Sequence, residues 1–437
     1  MTTRVPIKHL FNVTRDMIAP TEFGNRNLFH YSLPAWHERG DGCIENASNL
    51  ASGKILLEGG EVLVSKLNPE KNAVLLAEPH DIPTVCSPEF IVLVPKNIHR
   101  RFGCYFMLSA PLRHKLNASV ESVTNSHKRA RVDRFLASSV DLPDLPTQRR
   151  IADFLDRETA RIDLLIEKKQ RLVALLGEQR AAAISSAVTV GLDEYAKLVT
   201  TSSQYLPQVP TTWRVWRLKH LAEIRGGLAL GRQIPDDVET TPTPYMRVAN
   251  VQSGWLDLSD IAEIPVTEVE KKGYRLKHGD VLMNEGGDND KLGRGAVWKS
   301  EIDTCVHQNH VFAVRPYDTQ YSDWISLATN ARYARDFFYL HSNQSTNLAS
   351  ISKTNLSRFP VASPPIDEMK ATLRALWDRL RKLDMISERT NTSIDRLKEY
   401  RAALITAAVT GQIDVDSYTR SGATDRRLDD IQEELGA

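Results

Sequence analysis

Apolar residues follow two different patterns along this chain. Two stretches contain short runs of aliphatic and β-branched residues bounded by Gly, Asn or Pro, and two others have apolar residues at alternating steps of four and three. The short runs are typical of strands, whereas the alternating steps are typical of a long helix with a coiled-coil-like stripe. The pattern predicts two mixed α/β regions, each followed by one long helix.

The predicted strands of the two regions are short and separated by turn residues. In the first region they cover Lys54–Leu57, Val62–Val64, Ala73–Leu76 and Phe90–Val94, and helical spacing follows over 102–120. In the second region they cover Tyr245–Val248, Val281–Met283, Ala296–Trp298 and Val311–Val314, and a helix is predicted over 324–340.

Two segments have almost no helix breakers for about 40 residues. The stretch from Arg149 to Val188 has no proline and one glycine, Gly177, and Glu368–Thr410 has neither residue. A helix of this length is roughly 60 Å long and cannot bury its apolar stripe alone. We therefore predict that the two helices pair as a coiled coil; the alternative is that each packs on its own domain. The predicted helix-pairing residues are Ile151, Leu155, Ile162, Leu165, Leu172 and Leu176 in the first helix and Leu376, Leu383, Ile386, Leu397, Tyr400 and Leu404 in the second.

The chain contains an internal repeat. Glu178–Thr189 returns as Glu399–Thr410 at an offset of 221 residues, with eight of twelve positions identical. The same offset pairs Pro143 with Pro364 and Asp163 with Asp384, without a gap. Fainter matches, Ile7–Leu10 with Leu218–Leu221 and Gly60–Leu63 with Gly279–Leu282, lie earlier in each half. A fixed period of this kind indicates two copies of one structural unit.

Composition and charge exclude several classes of protein. The hydrophobic fraction of 41% and charged fraction of 25% are those of an ordinary globular chain, and no apolar run is long enough for a membrane-spanning helix. Four scattered cysteines form neither a disulfide framework nor a C-x-x-C zinc pair, which favours a cytoplasmic location. The net charge of +1 gives no overall signature of nucleic-acid binding, so such binding would need local patches or a partner.

Motifs for catalysis or metal binding are weak, and candidate binding residues are easier to find. The sequence has no G-x-x-x-x-G-K-[ST] loop and no H-E-x-x-H pair. Cations suit DNA phosphates, whereas Asn and Gln can read adenine edges; solvated surface loops are the alternative for each cluster. The candidate DNA-binding residues are Lys128, Arg129, Arg131 and Arg134 ahead of the first long helix, Gln344, Asn347, Lys353, Asn355 and Arg358 ahead of the second, and Arg247 and Asn250 on a predicted strand edge.

Two variable α/β regions, each followed by a similar long helix, resemble the specificity (S) subunit of type I restriction–modification systems. The helix ends carry the resemblance most clearly, as Arg180–Thr189 and Arg401–Gly411. The helix starts, Pro143–Ile151 and Pro364–Thr372, are similar to the family pattern P-P-L-x-E-Q-x-x-I. The chain departs from that pattern with Thr147 for the acid, Met369 for the glutamine, and Val190 where the family favours glycine.

The resemblance implies a mixed α/β (α+β) fold with a pseudo-twofold repeat, in which two globular target recognition domains are separated by two long helices that pair as a coiled coil. The implied segments are target recognition domain 1 at 1–145, a central helix at 146–192, a linker at 193–212, target recognition domain 2 at 213–363, a C-terminal helix at 364–416 and a flexible tail at 417–437.

The resemblance also implies a non-catalytic function. The chain would bind a bipartite, asymmetric double-stranded DNA target, and helix length would set the spacing of the two half-sites. It would dock two methyltransferase (M) subunits, with two restriction (R) subunits as further partners. S-adenosylmethionine, ATP and Mg²⁺ would bind those partners, and this chain would hold no cofactor or metal. The alternatives are a coiled-coil protein scaffold that binds no DNA and a methyltransferase or nuclease in its own right.

Overall fold

The structure is a computed structural model that describes residues 3–124, 127–193, 195–235, 237–287, 292–344 and 349–418, leaving aside the side chains of 122–127. The chain divides into two compact units. The first unit comprises Met1–Gln170 and Asn391–Ala437, and the second comprises Arg171–Thr390. Each unit contains one mixed α/β domain and part of each of two long helices. Among the described residues, no helix has the length and apolar character needed to cross a membrane.

The first unit contains strands, short helices and most of the first long helix. Its strands are β1 (Thr3–Pro6), β2 (Phe11–Thr14), β3 (Met17–Ile18), β4 (Asn27–Tyr31), β5 (Cys43–Asn46), β6 (Lys54–Leu57), β7 (Val62–Ser65), β8 (Val74–Leu76), β9 (Thr84–Cys86), β10 (Phe90–Pro95), β11 (Val120–Thr124), β12 (His127–Ala130) and β13 (Ser139–Leu142). Its helices are α1 (Leu33–Arg39), α2 (Arg100–Leu108), α3 (Ala110–Ala118), α4 (Val132–Ala137) and α5 (Leu145–Thr189), which continues into the second unit.

The second unit has a similar series of elements. Its strands are β14 (Leu198–Thr200), β15 (Gln208–Pro210), β16 (Arg214–Arg217), β17 (Ala222–Arg225), β18 (Thr241–Met246), β19 (Ala262–Val266), β20 (Val281–Asn284), β21 (Gly286–Gly287), β22 (Gly295–Val297), β23 (Val306–His307), β24 (Val311–Pro316), β25 (Asn343–Gln344), β26 (Ala349–Ser350) and β27 (Pro360–Ser363). Its helices are α6 (Glu268–Tyr274), α7 (Ser322–Thr329), α8 (Arg332–His341), α9 (Lys353–Leu356) and α10 (Ile366–Val409), which continues into the first unit.

The two domains share several features of their sheet topology. One antiparallel sheet has the order β2-β10-β7-β8 in the first domain and β17-β24-β20-β22 in the second. Two inner strands of these sheets, β10 and β24, each begin with four buried apolar residues. A second sheet contains a parallel pair, β4 with β9 and β18 with β23. In each domain the first strand pairs with the strand that precedes the long helix, β1 with β13 and β16 with β27. The fold therefore repeats together with the sequence.

The predicted helices that follow the inner strands are each broken into two. In the first domain α2 ends before Ser109, whose ψ of 151° is extended, and Pro111 lies in the first turn of α3. Proline is tolerated in a first turn but not in a helix interior, which explains the break. In the second domain the amide of Asn330 donates to the carbonyl oxygens of Ser326 and Gly295, and α7 ends there.

In the first unit the start of α5 and the end of α10 share one apolar core with the domain. Ile151, Leu155, Ile162 and Leu165 of α5 are buried there with Leu397 and Leu404 of α10, and with Phe102 and Phe106 of α2. The Arg401 guanidinium donates from Nη2 to Asp163 Oδ2 at 3.0 Å. The backbone N–H of Ala110, at the start of α3, donates to Thr406 Oγ1 at 3.1 Å. Both predicted modes of packing, helix on helix and helix on domain, therefore occur in this unit.

The second unit repeats these contacts with the helices exchanged. Leu376 of α10 is buried in one core with Ile184 of α5 and with the domain. The Arg180 guanidinium donates to Asp384 at 3.0 Å, and the backbone N–H of Arg332 donates to Ser185 Oγ at 2.9 Å. Leu176 is also buried, and Leu383 packs against the core as a half-buried residue.

Three of the predicted helix-pairing residues are exposed instead. Leu172 is 43% exposed, Ile386 47% and Tyr400 36%. An α-helix has 3.6 residues per turn, so a strict seven-residue pattern drifts by about 20° per heptad around a straight helix. Residues outside the predicted stripe, among them Phe154 and Ile394, are buried in compensation.

Some boundaries differ from the sequence-based ones. The predicted linker at 193–212 contains an antiparallel strand pair, β14 with β15. Helix α10 ends at Val409 rather than 416, with Gly411 in the left-handed region at φ 70°. Helix α5 ends at Thr189, and Gly191 takes the left-handed conformation at φ 88°. A glycine therefore follows the end of α5 despite Val190, because Gly191, one residue later, takes the left-handed conformation. The predicted tail at 417–437 lies outside the described residues after Tyr418.

Candidate nucleic-acid interface

The first candidate cluster lies on a hairpin of the first domain. Strands β11 and β12 pair with an irregular register, and Lys128 and Arg129 lie on β12. Asn68 holds this strand, since its side-chain oxygen accepts from the Lys128 N–H at 3.1 Å and its own N–H donates to the Lys128 carbonyl at 2.7 Å. Asn68 has a φ of 47°, a conformation that Asn tolerates better than most residues. The hairpin is therefore fixed to the loop that follows β7.

Arg129 is bound by a carboxylate from a neighbouring strand end. Its Nη2 atom donates to Glu89 Oε1 at 2.6 Å, and the side chains of Arg129 and Glu89 are 56% and 30% exposed. The backbone carbonyl of Glu89 accepts from the Lys66 N–H, and the carbonyl of Lys66 accepts from the Ala130 N–H. Three chain segments thus meet at this point, and Arg129 presents a half-exposed guanidinium beside it.

The other two cations of the cluster lie in or next to α4. Arg131 donates to Glu121 and to Asp133, and its hydrogen bond lowers the pKa of the Asp133 carboxyl. Arg134 is exposed on α4. The cluster is therefore exposed, as a binding patch must be, but Arg129 and Arg131 are already engaged with carboxylates.

The corresponding hairpin of the second domain is formed by β25 and β26. Strand β26 also pairs with β21, and Gln344 is exposed on β25. The Glu285 N–H donates to the His310 carbonyl at 2.9 Å, and the Glu285 carbonyl accepts from the Ile351 N–H at 2.8 Å. The carboxylate of Glu285 lies 2.9 Å from His310 Nδ1. Asn347 lies outside the described residues.

The remaining candidates of this segment lie at different places. Lys353 and Arg358 are exposed, and Arg358 lines a cleft of about 570 Å³ together with Trp216 and Arg217. The amide of Asn355 donates to the carbonyl of His341 at 2.9 Å, which ties α9 to the end of α8. Asn355 therefore has a structural bond that a base contact would have to break.

The candidates Arg247 and Asn250 form a loop rather than an open strand edge. Asn250 is 3% exposed, and its amide donates to the carbonyl oxygens of Asp257 and Asp260 at 2.9 Å each. Its side-chain oxygen accepts from the Arg247 N–H, and the Arg247 guanidinium pairs with Asp260. The prediction that Asn250 reads DNA is wrong, because a buried amide with these bonds has no access to a base edge.

The two hairpins occupy the same place in the repeated fold. In the first domain Lys66 donates its N–H to the Glu89 carbonyl and accepts from the Ala130 N–H. In the second domain Glu285 makes the same two backbone bonds, to the His310 carbonyl and from the Ile351 N–H. Lys66 therefore corresponds to Glu285, Glu89 to His310, and Ala130 to Ile351. Sequence reasoning missed Glu89, Glu285 and His310. The signal that could have found them is the repeat itself, because Phe90 at the start of β10 and Val311 at the start of β24 share the offset of the long helices.

The chemistry of these sites is hydrogen bonding and charge. Within the described residues, no group of three or more His, Cys, Asp or Glu side chains is arranged to hold a metal ion. The exposed groups are guanidinium, ammonium, imidazole and amide side chains, which suit phosphate and base-edge contacts. The structure therefore defines a duplicated α/β protein with one polar hairpin surface in each copy.

Comparisons with known proteins show what this duplicated protein is similar to. A family model described as the type I restriction modification DNA specificity domain matches residues 44–174. The EcoKI type I restriction enzyme specificity subunit of Escherichia coli K12 is 22% identical over 371 residues, covering 84% of this chain and 77% of that protein. The EcoBI specificity subunit of Escherichia coli is 21% identical over 306 residues, covering 68% of this chain and 63% of that protein.

The fold is also found in a solved structure. One chain of a solved structure superposes on this chain with a TM-score of 0.62 at 16% identity, over 94% of this chain and 98% of that one. That structure is described as showing complex assembly and conformational transition of the type I R-M system. The chain is similar in sequence to type I restriction enzyme specificity subunits, as the resemblance predicted. The two relatives named above are both specificity subunits.

Proposed function

We propose that this chain is the DNA sequence-recognition subunit of a type I restriction–modification complex. The observation that carries the proposal is the duplicated domain, in which equivalent hairpins bear different exposed polar side chains. Lys128 and Arg129 lie on one hairpin and Gln344 on the other. Two copies of one fold with different surface chemistry suit a bipartite, asymmetric DNA target, because each copy can select a different half-site.

The long helices support docking of two methyltransferase subunits. Each unit contains the same ion pair between α5 and α10, Asp163 with Arg401 and Asp384 with Arg180. A repeated surface offers equivalent sites to two identical partners. In this proposal the partners carry S-adenosylmethionine, ATP and Mg²⁺, restriction subunits join the same assembly, and this chain holds none of these cofactors.

The near-neutral charge of the chain fits shared DNA binding. A net charge of +1 means that 56 basic residues are almost balanced by 55 acidic ones, and Arg129 and Arg131 are already paired with carboxylates. Phosphate contacts dominate the affinity of most DNA-binding proteins and make it dependent on salt. We expect the isolated chain to bind DNA weakly and with little selectivity, and the complex with methyltransferase subunits to bind tightly and selectively.

The direct test is to map N6-methyladenine in DNA from cells that carry this chain with its methyltransferase subunit. Methylation confined to one two-part sequence is the expected result, and cells with the methyltransferase alone are the control. Methylation that is unchanged without this chain contradicts the proposal.

Two other outcomes would identify the alternative functions. A complex that forms but retains no DNA sequence selectively would indicate a protein scaffold. Methylation or cleavage of DNA by the purified chain alone would indicate an enzyme. Tight, sequence-specific binding by the chain without methyltransferase would contradict the shared-binding part of the proposal.

A further inference from the structure

Two segments that meet in the second unit contain no acidic residue. Neither Asp nor Glu occurs in residues 195–222 or 337–366, whereas the whole chain has 55 acidic residues in 437. The same two segments contain six basic residues, which are Lys197, Arg214, Arg217, Lys219, Lys353 and Arg358. In a chain that is nearly neutral overall, this is a local excess of positive charge.

The fold brings the two acid-free segments together. Strand β16 of the first segment pairs with β27 of the second, with Arg217 opposite Pro360. The N–H of Leu218 donates to the Phe359 carbonyl at 2.8 Å. Arg217 and Arg358 therefore lie on backbone segments that are hydrogen-bonded to each other.

Arg217 and Arg358 line one cleft of about 570 Å³, which we call the arginine cleft. Its lining residues all come from the two acid-free segments, among them Tyr205 after β14 and His341 at the end of α8. The ring of Tyr205 packs edge-on against that of Phe337, with 5.1 Å between their centroids, which fixes the first segment against α8. The arginine cleft thus has two guanidinium groups and no carboxylate among its lining side chains.

Neither guanidinium has a counter-charge in the part of the chain that the structure describes. Arg217 and Arg358 are exposed, and no ion pair or hydrogen bond of either side chain is found among those residues. In contrast, Arg129, Arg131 and Arg247 of the other candidate clusters are each bound by a carboxylate. Neighbouring cations repel each other, and a bound anion offsets that repulsion.

The repeat does not retain these cations in the first domain. At the offset of 221 residues, 337–366 corresponds to 116–145, and Arg358 corresponds to Ala137. The segment 116–145 contains four acidic residues, Glu121, Asp133, Asp141 and Asp144. The excess of positive charge is therefore specific to the second copy.

We propose that the arginine cleft binds the phosphate backbone of DNA beside the hairpin of β25 and β26. This inference rests on the proposed function. His341 lines the cleft and precedes β25 by two residues, so the cleft adjoins the hairpin that carries Gln344. Guanidinium groups match the geometry of phosphate oxygens, and phosphate contacts position a protein on DNA without reading its sequence.

The experiment measures DNA binding by the complex of the full chain with its methyltransferase subunits. Fluorescence anisotropy over a series of KCl concentrations gives the slope of log affinity against log salt. Arg217→Gln and Arg358→Gln should each make this slope shallower by about one, because each removes one phosphate contact. Each should also weaken binding roughly tenfold at low salt, equally for the methylated target sequence and for unrelated duplexes. The base preference of methylation should stay unchanged.

Two further variants separate phosphate binding from other effects of the substitutions. Arg358→Lys keeps the cation and should retain most of the salt slope. Arg275→Gln is the matched control, because it removes the same charge from an exposed side chain of the second domain that lies 3.5 Å from Asp303. It should leave the slope and the affinity unchanged.

Three results would overturn the inference. If Arg217→Gln and Arg358→Gln leave the salt slope unchanged, the cleft binds no DNA phosphate. If they weaken assembly with the methyltransferase subunits but not DNA binding by the assembled complex, the cleft binds an acidic protein surface instead. If they abolish the preference for one base of the target, the arginines read sequence. A native complex that binds DNA without sequence preference would refute the proposed function alone, because the salt slope on any duplex still tests the cleft.

Discussion

Replacing Gln148 by Met tests how the first domain is anchored to α5. Gln148 is 3% exposed; its side-chain oxygen accepts from the His99 N–H at 2.9 Å, and its amide donates to the Pro143 carbonyl at 2.9 Å. Methionine has a similar volume but can make neither bond. A buried group that loses its hydrogen-bond partner costs roughly 1–3 kcal/mol, so we expect the first unit to lose about 2 kcal/mol of stability.

The second copy of the repeat explains why Met is tolerated at the equivalent position. Met369 is fully buried, and the N–H of Gln320, the counterpart of the His99 N–H, donates to Asp318 Oδ1 at 3.0 Å. In the first domain Asn97 stands at the place of Asp318, but its amide donates to the His9 carbonyl. The first domain therefore depends on Gln148 for a bond that the second domain makes locally.

The assay is thermal and denaturant unfolding of the full chain, with amide hydrogen exchange at the start of α2 as a local probe. In a unit of this size 1 kcal/mol shifts the melting temperature by roughly 2–4 °C, so we expect a fall of about 4–8 °C in the transition of the first unit. Gln179→Met, the same change at an exposed position of α5, is the control and should stay within about 0.5 kcal/mol of the native chain. If Gln148→Met destabilises the chain no more than Gln179→Met, the anchoring role of the two hydrogen bonds is refuted.

Three other predictions concern residues away from the hairpins. Burial lowers the pKa of His307 below its ordinary value of 6.5. As pH falls, the unfolded chain therefore takes up a proton first, and the stability of the fold should decrease below about pH 6.5. In denaturant titrations between pH 7 and 5, His307→Gln should flatten this dependence, whereas His278→Gln, at an exposed site, should not. Arg315→Met removes the cation that lies 2.7 Å, from Nη2 to Oδ2, from the carboxylate of Asp280, a side chain that is only 1% exposed. A carboxylate buried without its cation should cost the second unit about 3–5 kcal/mol of stability by urea unfolding, and a loss below about 1 kcal/mol would contradict this. Thr406→Ala removes the hydroxyl that caps α3 and should cost about 0.5–2 kcal/mol of stability. Hydrogen exchange in the first turn of α3 should become faster, and Thr406→Ser, which keeps the hydroxyl, should retain the stability of the native chain.

Much of the local structure could be predicted from the sequence. The apolar runs at Phe90–Val94 and Val311–Val314 form the inner strands β10 and β24, and the segments without proline form α5 and α10. These features depend on periodicity and on helix breakers, which act over a few residues and are visible in the chain itself.

The polar candidates could not be sorted in the same way. Arg129 and Asn250 are both polar residues, but Arg129 is half-exposed on a hairpin and Asn250 is buried with three hydrogen bonds. Glu285 and His310 are 25 residues apart, and nothing local indicates that they meet. Contacts of this kind depend on how strands pair across the fold.

The sequence by itself determined that this protein is built twice, as an α/β domain followed by a long helix, because repeats and periodicity are properties of residue order. Only the tertiary structure decided which polar side chains face outward and which carboxylate holds each of them. The physical reason is that the exposure of a side chain is set by the segments packed around it, and in each domain those segments come from three separate parts of the chain.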